Sequence, residues 1–135
     1  MNNADIQKRI RFVNATARIS LGLVWLYEGL VPKILFLHSH PEQIALVQRS
    51  GLFWHTAEIT LILLGIAQAL GGLVLIIGWA ERLAVMTATV TMFVLILLVA
   101  TGNPAMLTDP FGALAKDVCL VACAITVWVL APLRD

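Results

Sequence analysis

Residues 56–100 read TAEITLILLGIAQALGGLVLIIGWAERLAVMTATVTMFVLILLVA, two long apolar runs joined at Ala80-Glu81-Arg82. A helix crosses the hydrocarbon of a bilayer with about 20 apolar residues, whereas a barrel strand needs about 10. Runs of this length are helices, and the short charged turn between them makes a transmembrane hairpin, 56–79 and 83–100. Working outward, an earlier run spans about 12–37, interrupted by Arg18, Glu28, Pro32 and Lys33. A last run spans about 110–130 and opens at Asp109-Pro110, where Asp suits the N-cap and Pro the first helical position. The expected fold is all-α: one integral membrane four-helix bundle over residues 1–135. A short interfacial helix is expected in the first loop, where Ile44, Val47 and Gln48 repeat helically and Phe53 and Trp54 suit the headgroup level.

Composition agrees. Of 135 residues, 60% are hydrophobic and 13% charged, and the mean hydropathy is +0.92. Soluble domains carry about 45–50% apolar and about 25% charged residues. The gap excludes an ordinary soluble fold, a disordered chain and a nucleic-acid binder, which needs a basic face. Nine Lys and Arg against eight Asp and Glu leave a net charge of +1, so only the positions of charges inform. Lys8, Arg9, Arg11, Arg82 and Arg134 fall on one side of the expected membrane, Lys33 and Arg49 on the other. The Lys/Arg bias then sets both termini in the cytoplasm. The first run reads as a retained helix rather than a signal peptide: it is too long, contains Glu28 and lacks a small-x-small site before Pro32. Arg18, near its cytoplasmic end, is expected to snorkel.

The remaining ionisable residues gather. Glu28, Lys33, Glu58, Lys116 and Asp117 each cost about 2.5–3.5 kcal/mol near a helix centre. Connectivity alone puts all five in one half of the membrane, beneath the first and third loops, on three different helices. Trp25 and Glu28 share a helix face. Pro32 cannot donate to the Glu28 carbonyl, so the helix should kink and leave that oxygen free. Gly29 allows a backbone or ligand to approach closely. Glu58, Gly65 and Gly72 recur every seven residues, with Gln68 on the same flank: a small-residue packing seam. Lys116 is expected to pair with Glu28 or Glu58, and Asp117 with a neighbour such as Lys33. The run 83–100 offers only threonines and is the passive wall. Cys119 and Cys123 form no Cys-x-x-Cys pair, suit no disulfide, and read as small packing residues facing the bundle. His38, His40 and His55 read as interfacial surface residues, not metal ligands.

These residues carry a resemblance. The segments Arg18-x-x-x-Gly22-x-x-Trp25-x-x-Glu28-Gly29-x-x-Pro32-Lys33 and Gly102-Asn103-Pro104 … Asp109-Pro110-Phe111-Gly112-x-x-x-Lys116-Asp117 resemble the DoxX-like family of small four-helix membrane proteins. The resemblance implies association with membrane redox or thiol-stress systems, and with accessory or assembly roles in some members. It implies no catalytic residue. The expected ligand site is Trp25, Glu28, Lys33, Glu58, Asn103, Asp109, Lys116 and Asp117, an outward-facing pocket for a small amphipathic molecule, with quinone the candidate cofactor. The bilayer is the first partner, and a redox protein and a second copy of the chain are the other candidates. A non-catalytic assembly or stability factor and a small proton-coupled transporter are the alternatives.

Overall fold

The computed structural model describes residues 2–108 and 113–131. Among them all regular structure is helical: α1 (Asn3–Leu30), α2 (Pro41–Ser50), α3 (Ala57–Ile77), α4 (Glu81–Gly102) and α5 (Ala113–Leu130). The four long helices close a ring in which α1 packs on α3 and α5, and α4 packs on the same two. α3 and α4 are long and apolar enough to cross a membrane. The first helix begins nine residues before the apolar run, at Asn3, so Lys8, Arg9 and Arg11 extend it rather than precede it.

The closest helix pair is held backbone to backbone. A Cβ on Gly29 would lie 2.5 Å from the Gly65 carbonyl oxygen, and one on Gly65 would lie 2.7 Å from the Gly29 oxygen. Gly22 and Gly72 repeat the arrangement seven residues along, at 2.7 and 2.6 Å. Seven residues are two helical turns, about 10.5 Å of rise, so both pairs fall on one straight seam between antiparallel helices. Beyond the seam an apolar layer of Leu21, Trp25, Leu75, Val85, Ala88, Met92 and Val127 fills the centre of the ring.

α1 ends where Pro32 removes a donor. The chain passes into a π-helical turn, Val31–Leu35, closed by the Phe36 amide donating to the Val31 carbonyl at 2.9 Å. α2 then follows. It is the short helix expected in the first loop, and it packs against α3 and α4. Gly51 ends it in the left-handed conformation, φ 69°. Such a C-cap releases the chain from the helix without a Cβ clash.

A second polar cluster lies at the opposite end of the bundle and departs from the sequence reading. Arg18 does not snorkel outward. Its guanidinium pairs with Glu81 at the start of α4, and Asn14 donates to the same carboxylate at 3.1 Å. The two charged side chains are only 12% and 7% exposed. The turn between α3 and α4 makes room: Gly78 has φ 82°, and the Arg18 guanidinium occupies the place where its Cβ would stand. Arg82, one residue on, lies 5.6 Å from the Trp128 ring centroid and ties α4 to the end of α5.

Two stability measurements check this packing. Gly29→Ala drives a methyl into the α3 backbone and should cost about 1–3 kcal/mol. Gly71→Ala meets nothing within 4 Å and should gain about 0.5–1 kcal/mol through helix propensity. Equal effects in thermal unfolding would refute the seam. Glu81→Leu leaves the Arg18 charge buried and should cost about 3–5 kcal/mol. Adding Arg18→Met to it should recover most of that loss, whereas additive losses would mean that the pair is not coupled.

Candidate functional site

The site begins with the carbonyl that Pro32 frees. Lys33, one residue on, turns its side chain back, and its ammonium donates to the Glu28 backbone oxygen at 2.9 Å. The carbonyl that Pro32 leaves without its helical N–H is thereby given another donor. Lys33 is 6% exposed, a depth that a lysine tolerates only with such a partner. The Glu28 carboxylate is engaged from α5, where the Lys116 ammonium donates to Oε1 at 2.8 Å. The two expected pairings thus divide: Lys116 takes Glu28, and Lys33 takes a backbone oxygen rather than Asp117. Asp117, 9% exposed, receives no side-chain hydrogen bond or ion pair among the described residues.

These groups border a cavity of about 190 Å³ inside the ring. Glu28, Lys33, Lys116, Asp117 and Gln68 supply the polar lining, two acids against two bases. Trp25, Leu61, Met92, Ile96 and Leu120 supply apolar wall. The Glu28–Lys116 pair is the more open part, with side chains 31% and 41% exposed. α2 contributes Gln43, Leu46 and Val47 to the lining. It lies close enough to α4 that a Cβ on Gly102 would collide with the Leu46 backbone oxygen.

Of the eight expected ligand residues, the structure brings five together on this cavity: Trp25, Glu28, Lys33, Lys116 and Asp117. Glu58 stands exposed in the first turn of α3, and Asn103, half-buried at the end of α4, is not on the lining. Asp109 lies outside the described residues. The sequence reading missed α2 as a wall and α4 as more than a passive one, since Met92, Leu95, Ile96, Leu98 and Val99 all border the space. The apolar spacing of Leu46 and Val47 was the available signal for α2. Cys119, expected to face the bundle, is exposed, and Cys123 is half-buried. On α5 the buried stripe is Asp117, Ala124 and Val127, and Cys119 lies off it. His38 and His55 are exposed, and His40 donates through Nδ1 to Glu42 at 3.0 Å. That bond, together with a backbone amide bond that contributes more, holds the Glu42 carboxyl below the usual carboxylate range.

Comparison with known proteins adds one finding. The model of the DoxX-like family matches residues 22–125, more than half of the chain and the span that holds the seam, the Pro32 turn and all five cavity residues named above. No curated protein and no solved structure shows significant similarity to the chain. A match of this extent, over the segments that build the site, makes the chain a member of the DoxX-like family.

Proposed function

We propose that this chain is a four-helix integral membrane protein of the inner membrane, folded as one unit with both termini cytoplasmic. Its cavity holds the ring of a small amphipathic molecule of the quinone type, and the protein serves as a membrane subunit of a redox system. The cavity carries this reading: an apolar slot inside the ring that ends on balanced charges and a free carboxamide.

The membrane placement draws on the surface as well as on α3 and α4. Large apolar side chains point outward on all four long helices, among them Leu23 and Tyr27 on α1 and Val118, Ile125 and Val129 on α5. The interior meanwhile holds Asn14, Lys33, Gln68, Glu81 and Asp117. A polar inside with an apolar outside is stable in lipid and costly in water. The cytoplasmic assignment of the termini rests on the Lys/Arg distribution.

A quinone-type ring needs an apolar slot and hydrogen-bond donors toward its oxygens. Trp25 and Met92 offer the first, and Lys116 and the Gln68 carboxamide nitrogen the second. Such a ring, when bound, supplies electron and proton storage; the residues here bind it, orient it and keep water away. The thiol-linked form of the reading gains nothing from the cysteines, since neither lines the cavity. A second reading, a non-catalytic assembly factor, draws on Lys33 and Lys116, whose bonds to Glu28 tie the broken helix to itself and to α5.

Titrating purified protein with a short-tailed quinone, followed by tryptophan fluorescence, separates the two. Expected is saturable quenching that disappears in Trp25→Phe and weakens about tenfold in Lys116→Met, which loses one charge-assisted hydrogen bond. No saturable quenching, with Lys116→Met merely less stable, would favour the assembly factor.

A further inference from the structure

The next step rests on the cavity reading above and concerns the chemistry of its occupant. Gln68 lies in the middle of α3, 3% exposed, and borders the cavity. No hydrogen bond reaches its carboxamide from any described residue, and its Oε1 is buried without a partner. An unpaired buried amide is destabilising and rare in folded proteins. The neighbouring bases differ: Lys33 and Lys116 are both bonded to Glu28.

A carboxamide offers an acceptor and two donors. Its oxygen is the atom left without a donor, so the complementary group must carry a proton to give it. A hydroxyl does so, because it donates and accepts through one oxygen. Charge narrows the choice further. Glu28 and Asp117 balance Lys33 and Lys116, so a neutral occupant leaves the site electrically even. Size narrows it again: a dry apolar cavity of about 150 Å³ accommodates benzene, and this one is about 190 Å³ with Trp25 and Met92 on its wall. We infer that, of the quinone-type rings proposed above, the cavity selects the reduced form, a neutral single ring bearing a free hydroxyl, over the oxidised one, and that Gln68 recognises that hydroxyl by accepting from its O–H and donating to its oxygen.

Fluorine NMR of the detergent-purified full chain tests this with three probes of similar size: 4-fluorophenol, 4-fluoroanisole and 4-fluorotoluene. In the wild type, the phenol should displace the anisole, whose oxygen accepts but cannot donate. The ratio of phenol to toluene affinity should fall about tenfold in Gln68→Met, which keeps the shape of the side chain and removes its polar atoms. Taking a ratio cancels the probes' unequal partition into detergent. Gln68→Met should also unfold at a higher temperature than the ligand-free wild type, because an unpaired amide has gone. Should Gln68→Met not fold, the phenol–anisole competition in the wild type decides alone. Rings that bind without regard to the hydroxyl, or a ratio unchanged in Gln68→Met, would overturn this inference and leave the cavity reading standing. Binding of none of the three would overturn both.

Discussion

The cavity end of this protein depends on the contact of two helix backbones. Because Gly22, Gly29, Gly65 and Gly72 carry no side chain, α1 and α3 approach until the carbonyl oxygen of each glycine lies 2.5–2.7 Å from where its partner's Cβ would be. That contact is a ruler as much as an adhesive. With both glycine spacings at seven residues, a shift of register would set a glycine against a larger side chain. The seam also delivers the site. A Cβ on Gly65 would lie 2.9 Å from the Lys33 Cβ, and one on Gly29 would lie 3.0 Å from the Gln68 Cβ. Lysine and carboxamide therefore reach the cavity from opposite sides of one glycine pair.

The broken end of α1 follows from that placement. Proline at position 32 removes a helical bond and leaves the Glu28 oxygen to take another donor. Lys33 provides it from the adjacent residue, and the π-helical turn lets the chain continue to Phe36. Pro32 thus leads to a buried lysine, the lysine bonds the Glu28 carbonyl, and the Glu28 carboxylate bonds Lys116 on α5. At the far end of the bundle Arg18 and Glu81 hold α1 to α4. About 15 Å of helix and an apolar layer separate the two clusters, so the middle of the bundle is greasy and both ends are cross-linked.

Much of this is legible in the sequence. Proline's missing N–H announces a free carbonyl at Glu28, and a seven-residue repeat of Gly65 and Gly72 announces a close helix neighbour. The existence of the long helices followed from apolar length, because that is what a bilayer demands. What stayed hidden has physical reasons. Glu81 sits beside a tight turn, where a carboxylate is ordinarily solvated, and only the missing Cβ of Gly78 lets Arg18 reach it. Glu58 shares the seven-residue spacing of the glycines but lies two turns nearer the helix start, where it stands exposed. The short helix in the first loop announces its amphipathic face but not the surface that receives it, and so Leu46 and Val47 were not foreseen in the cavity wall.

The central claim is that the cavity exists to hold a small molecule, and native mass spectrometry of protein released gently from its membrane tests it most directly. The chain alone has a mass of 14.7 kDa. A one-to-one adduct of small-molecule mass, retained through mild activation and lost when Leu95→Trp fills the cavity, is the predicted result. Bare chain throughout, with Leu95→Trp folding as stably as the wild type, would contradict it and leave the polar residues as structural links between helices.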